Sequence, residues 1–302
     1  MDPKGRVLAA LHSYQRQTFG RAAGESKERD LGWLDAQATT SLTLDGKSAL
    51  LAPLAEWSRV DGTVYLRPLS GGPAQAIGLG QRQTTVSQDG KWVATCTTEP
   101  ALAVVLMPTG PGATKRIPIP DFEGSDLRVD LLPGDEAAIV WGRRRSEPFA
   151  FYSLDLATGT LKRISPLKAS PFAYQTFLSP DGRWIAYVNA SLPSGNGELP
   201  IGVSRTDGTQ PRTVTTLPSG EAVSGWGPDS ASLLIWDRNR VPVDVEKLDL
   251  ATGKRTRVLT VTPADPIGIP GVQTLLMTPD GGAYAYNITR KLSQLYVIEG
   301  LH

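Results

Sequence analysis

Cysteine and histidine are nearly missing from this 302-residue sequence, which has one cysteine, Cys96, and two histidines, His12 and His302. A lone thiol excludes a disulfide within the chain. In Val93-Ala94-Thr95-Cys96-Thr97 it reads as a small apolar packing group. Two histidines at opposite ends exclude a Ser-His-Asp triad and a histidine-based metal site, and His12 reads as a surface or turn residue. Charge excess is missing too: 31 basic against 30 acidic residues leave a net charge of +1. That argues against a nucleic-acid partner, where a basic excess supplies most of the affinity. No apolar run approaches the roughly 18–20 residues of a membrane span. Met1 to Gly20 lacks the apolar core of a secretory signal, so the sequence reads as a soluble chain. No segment of about ten residues carries a 3.6-residue apolar stripe, which predicts essentially no helix.

What the chain has is turns. Its 24 prolines and 31 glycines are spread evenly, as in a fold that turns every eight to twelve residues or so. The organising stretch is Phe177-Leu178-Ser179-Pro180-Asp181-Gly182-Arg183-Trp184-Ile185-Ala186-Tyr187-Val188, two alternating apolar runs around a Ser-Pro-Asp-Gly turn. Pro presets the turn backbone, Asp bonds the backbone two residues on, and Gly accepts a positive φ. Weaker copies stand at Leu44-Asp45-Gly46, Gln88-Asp89-Gly90, Pro133-Gly134-Asp135, Pro228-Asp229-Ser230 and Pro279-Asp280-Gly281. A degenerate copy, Asp2-Pro3-Lys4-Gly5, opens the sequence. The Asp positions 45, 89, 135, 181, 229 and 280 are spaced by 44, 46, 46, 48 and 51 residues. That period, with several strands inside each repeat, predicts an all-β propeller of four-stranded blades, one domain over residues 1–302.

Seven turn copies favour seven blades, the first and last incomplete. The first repeat has no strand before its turn, and the last stops after Gln294-Leu295-Tyr296-Val297-Ile298 with no fourth strand. The alternative is six closed sheets that borrow Asp30 to Leu34 as the missing last strand. The turn Asp155-Leu156-Ala157-Thr158-Gly159 recurs as Asp249-Leu250-Ala251-Thr252-Gly253, 94 residues or two blades later. Two prolines in Lys115-Arg116-Ile117-Pro118-Ile119 fit an exposed outer edge.

Motifs for chemistry are weak. Ala222-Val223-Ser224-Gly225-Trp226 approaches a nucleophile elbow but has Ala where Gly is required. Gly78-Leu79-Gly80 and Gly110-Pro111-Gly112 lack the helix and spacing of a phosphate cradle. One carboxylate per Asp-Gly turn is too few for Ca²⁺, so backbone capping is the better reading. Trp92, Trp141, Trp184 and Trp236 lie on the second strands of their repeats, where packing between blades outweighs a stacking platform. The remaining signal is positional. Loops joining second to third strands share one face, opposite the Asp-Gly turns, and carry Trp57, Arg59, Arg143, Arg145, Arg238, Arg240, Arg290 and Lys291. Glu56, Asp61, Glu99, Glu147, Glu198 and Asp237 offset them in part. This face is the expected site for a small anionic ligand or an acidic protein segment, gripped by guanidinium forks. Nothing indicates a catalytic residue, cofactor or metal.

The Ser-Pro-Asp-Gly-Arg-Trp-Ile-Ala-Tyr stretch resembles the WD40-like repeat of TolB-type propellers. Three further stretches resemble the C-terminal propeller of bacterial membrane-anchored serine/threonine kinases. They are Gly24 to Asp35, Val64-Tyr65-Leu66-Arg67 with Asp89-Gly90-Lys91-Trp92, and Leu292 to Leu301. The resemblance implies a non-catalytic sensor or interaction platform, carried outside the cytoplasm if it follows a membrane anchor. The glycine-rich loop, His-Arg-Asp and Asp-Phe-Gly marks of a kinase do not occur here. Kinase activity is therefore not carried over, and the chain reads as the C-terminal portion of a longer protein. A TolB-like periplasmic scaffold bridging envelope proteins is the alternative. A propeller lactonase or lyase comes third, since such an enzyme needs channel-lining His, Glu, Asp or Asn around a metal.

Overall fold

The computed structural model describes residues 7–32, 37–53, 62–81, 83–164, 176–189 and 197–298. Among them there is no helix; antiparallel strands form six sheets of four. The innermost strands of blades 1 to 6 are Gln37–Leu42, Thr85–Val86, Phe122–Leu131, Phe177–Leu178, Glu221–Trp226 and Val272–Met277. In blades 1 to 5 each sheet is a meander, every strand pairing with the next in sequence.

Blade number follows the six-sheet alternative, not the favoured seven. The opening turn copy lies outside the described residues, and the strands after it do not start a blade. Val7–Arg21 pairs with Tyr284–Ile298, and Arg29–Asp30 adds as the outermost strand. Blade 6 thus takes its two inner strands from the C-terminal end of the sequence and its two outer ones from the N-terminal end. Tyr284–Ile298 runs as one strand where the sequence predicts two with a loop at Arg290-Lys291 between them. The final repeat therefore lacks both its third and its fourth strand, and Val7–Arg21 and Arg29–Asp30 supply them. Leu31, within the stretch predicted to be borrowed, is fully buried; Trp33 and Leu34 lie outside the described residues.

The Asp-Gly turns do what their chemistry predicts. Asp181 Oδ1 accepts from the Arg183 N–H at 3.0 Å and from Ser179 Oγ at 2.5 Å, while Ser179 Oγ also accepts from the Trp184 N–H. Gly182 takes φ +69°, and a side chain there would run into Pro133 of the neighbouring turn. Asp45, Asp89, Asp229 and Asp280 each accept the N–H two residues on in the same way. Blade 3 departs: its order is Gly134-Asp135, and Asp135 itself takes φ +54°.

Because both faces of each sheet are covered by neighbours, the core is divided into seams. Six buried apolar clusters correspond to the six blade-to-blade contacts. The second-strand tryptophans lie in them. Trp141 is buried between blades 3 and 4 and Trp236 between blades 5 and 6, with Trp92 and Trp184 packed at the edges of two others. Burying an aromatic ring of about 150–250 Å² stabilises by several kcal/mol at roughly 25 cal/mol per Å². Packing between blades therefore accounts for these residues.

Candidate functional site: the central channel and its loop face

Strands alternate in direction, so the turns after first and third strands emerge on one face of the ring. Second-to-third loops and the connections between blades emerge on the other. The Asp-Gly face is closely packed, and Gln88 Nε2 reaches from the blade 2 turn to the Ser179 carbonyl of blade 4 at 2.9 Å, across the lower mouth of the channel. Of the predicted cations in the described residues, Arg145, Arg238 and Arg240 lie in second-to-third loops, whereas Arg143 falls near the end of the strand Ala137–Arg144 and Arg290 and Lys291 fall within the strand Tyr284–Ile298.

Their circumstances differ. Arg143 forms an ion pair with Glu123 at 3.1 Å and covers the Phe149 ring. Arg240 pairs with Asp237 at 3.1 Å and is otherwise exposed. Arg145 is exposed. Arg290 is structural: its guanidinium binds Asp265 Oδ2 at 2.8 Å and the carbonyls of Asp265 and Ile267, fixing the connection from blade 5 to blade 6. Lys291 is exposed, and its backbone N–H holds Gly268 of that same connection. Trp57 and Arg59 lie outside the described residues. Arg238 stands apart, because it lines the central channel. Among the described residues no carboxylate pairs with it. Its Nε is buried without a partner, and burial pulls its pKa below the usual guanidinium value.

The channel is a cavity of about 270 Å³ lined by all six innermost strands. Its walls combine apolar groups such as Leu42, Phe177, Val223 and Met277 with hydroxyls from Thr39, Thr40 and Ser41. Arg128 and Asp130 also face it, joined by two hydrogen bonds of 2.8 and 2.9 Å with side chains 13% exposed. They straddle fully buried Val129. Sequence reading passed over this pair, although the polar–apolar–polar alternation of Arg128, Val129 and Asp130 is the signal of a strand with one face on a polar channel. Ser224, the near-elbow serine, is 3% exposed at a bulge in the inner strand of blade 5, with its hydroxyl on the Leu234 carbonyl. His12 Nδ1 lies 2.8 Å from Ser293 Oγ on an exposed strand pair, away from the channel. Among the described residues, no three His, Cys, Asp or Glu side chains converge to hold a metal.

No protein-family model matches the sequence, and no curated protein matches it. The fold does match solved structures. A TolB-type protein of Agrobacterium tumefaciens superposes with a TM-score of 0.62 at 20% identity, over 93% of this chain and 99% of that one. TolB of Acinetobacter baumannii gives 0.56 at 17% identity, over 94% of this chain and 66% of its own. The oligogalacturonate lyase of Vibrio parahaemolyticus gives 0.53 at 15% identity, over 90% and 77% respectively. At these identities the likeness is one of fold, a TolB-type β-propeller architecture.

Proposed function

We propose that this chain is a non-catalytic interaction module, a TolB-like propeller scaffold whose loop face docks an acidic segment of a partner protein. The supporting observation is that Arg238 lines the channel with Arg240 in the same second-to-third loop of blade 5, while in blade 3 Arg143 lies near the end of the second strand and Arg145 in the loop that follows, at the same face of the ring. Guanidinium forks in that setting recognise carboxylates with geometry as well as charge. The test is titration of a Glu-rich peptide against the intact chain at several salt concentrations. Expected is micromolar or weaker, salt-sensitive binding that is lost when all four arginines become Ala; unchanged affinity in that variant rejects the reading.

Two other readings have separate tests. Attachment to a signalling kinase, with this chain as the C-terminal sensor of a longer protein, requires a kinase reading frame joined to or beside this one. The resemblance behind it is carried by 24–35, by 64–67 with 89–92, and by 292–301; of these, Arg29–Asp30 and residues 292–298 fall in strands of blade 6. A lyase-type reaction draws on the similarity in fold to the Vibrio enzyme, and a stoichiometric metal in purified protein would support it.

A further inference from the structure

Arg238 is an electrostatic oddity. A half-buried guanidinium without a carboxylate partner is costly unless something anionic meets it. The channel it lines contains two other charged groups, Arg128 and Asp130, and these neutralise each other through a bidentate pair. Among the described residues the cavity therefore carries one uncompensated positive charge. Other polar groups in the channel-lining residues are unmet as well: Thr39 Oγ1, Thr40 Oγ1 and Trp236 Nε1, next but one to Arg238, are buried with no hydrogen-bond partner. Below them the wall turns apolar at Leu42, Val86, Phe177 and Leu275, and the Gln88–Ser179 bond spans the far end.

The geometry points to the channel as a binding pocket for a single carboxylate carried on an apolar body, the carboxylate on Arg238 and the body among the inner-strand side chains. One net positive charge suits a monoanion on an apolar body; a phosphate, carrying between one and two negative charges at neutral pH, would bring more charge than the cavity offsets and no apolar body to fill it. The volume of about 270 Å³ lies at the small end of ligand pockets. The carboxylate could belong to a free organic acid or to the C-terminus of a peptide. This inference rests on the reading of the loop face as the recognition surface and adds the chemistry at its centre.

The experiment uses the full chain and follows the indole N–H signal of Trp236 by NMR, assigned from its loss in Trp236→Phe. Benzoate is titrated as the acid, benzamide as its neutral isostere, inorganic phosphate as the competing anion. An acetylated tripeptide ending in Phe is added with its C-terminus free or amidated. Expected is a saturable shift with benzoate, with the free-acid peptide, or with both, and none with benzamide, phosphate or the amide. Benzoate alone identifies a small acid as the source, and the peptide alone identifies a chain terminus. Arg238→Gln should weaken binding about tenfold or more, as for the loss of a charge-assisted hydrogen bond. Arg238→Lys should recover part of it. Melting curves on both variants verify that they fold. The inference is overturned if no carboxylate shifts the signal, if benzamide binds as well as benzoate, or if folded Arg238→Gln binds like the unaltered chain. Arg143→Ala with Arg145→Ala separates the two readings, since it should abolish Glu-rich peptide docking and leave benzoate binding intact.

Discussion

Two seams of the same ring are held by different physics. Between blades 2 and 3 the buried cluster comprises fifteen residues, with Phe122, Tyr152, Leu127 and Leu154 among them. Between blades 6 and 1, where the ring closes, the cluster among the described residues is Leu31, Ala49, Leu69, Ala283 and Ala285. Small side chains let the backbones approach closely: a Cβ added at Gly20 would sit 2.7 Å from Leu31 and 2.8 Å from Leu69, and one at Gly46 would sit 2.7 Å from the Ala283 Cβ. What the closing seam lacks in apolar bulk it replaces with buried polar links. Asn287, 3% exposed, donates to Thr18 Oγ1 at 2.6 Å and accepts the Thr39 N–H of blade 1 at 3.0 Å. Within blade 6 itself, Glu28 accepts from the hydroxyls of Tyr284 and Tyr286, both at 2.7 Å, joining the N-terminal outer strands to a C-terminal inner one. Apolar area is non-directional, so it cannot by itself choose which ends of a chain meet. Hydrogen bonds in a dry seam can, because a wrong pairing leaves buried groups unmet.

The largest expected effects come from striking each seam at its own strength. Asn287→Ala strands the Thr39 N–H in a buried site and should cost about 3 kcal/mol. Leu154→Ala in the wide seam opens a cavity and should cost about the same. Denaturant unfolding measures both, and amide exchange tells them apart. The first should speed exchange in blades 6 and 1, the second in blades 2 and 3. Equal loss of protection everywhere in both variants would erase the distinction between seams.

Alkaline pH should sharpen the comparison next. Tyr284 and Tyr286 are pushed well above the ordinary tyrosine range, first by burial and then by the Glu28 carboxylate they donate to. Tyr187, between blades 3 and 4, is pushed up to about 12 by burial alone. Unfolded tyrosines lose protons from about pH 10, whereas these keep theirs. Their contribution is whole below pH 10 and falls as pH rises beyond it. Tyr286→Phe should flatten that alkaline loss more than Tyr187→Phe does, read from melting temperatures between pH 8 and 11.

The smallest effect contrasts two turns. Asp280 is held below the usual carboxylate range by the Thr278 hydroxyl and the Gly282 N–H. Asp135, in the reordered turn, is pushed up by burial and by the charge of Asp89. The stabilisation from Asp280 is present above its unfolded pKa and is lost as pH falls through the folded one. Ionised Asp135 works the other way, costing stability once pH exceeds its unfolded value. Asp135→Asn should therefore raise stability at neutral pH, by at most about 0.5 kcal/mol after solvent screening, while Asp280→Asn lowers it. Thermal melts from pH 3 to 7 give both signs.

Much of this was legible in one dimension. Turn chemistry and the period-2 runs identified the strand-turn repeat, because both act between residues a few positions apart, but they broke the long strands Val7–Arg21 and Tyr284–Ile298 into shorter ones. The second-strand tryptophans were read correctly as packing groups for a similar reason: their place in the repeat fixes their place in the blade. The count of blades was not legible. Asp2-Pro3-Lys4-Gly5 looks locally like another turn copy, and only the pairing of residue 7 with residue 298 shows that the strands after it finish a sheet begun at the other end. For the site, the loop cations could be assigned to a face but not ranked. That Arg290 is committed to Asp265 while Arg238 is left facing the channel depends on partners about 25 residues or a whole blade away.

The sequence by itself determined the strand-turn repeat and the all-β character of the described residues, since both follow from short-range geometry repeated six times. Tertiary structure alone decided the number of blades, the pairing of Val7–Arg21 with Tyr284–Ile298, and the choice of Arg238 as the channel charge left without a carboxylate partner among the described residues. Those outcomes are set by closure of the ring, which brings together residues that no local pattern relates.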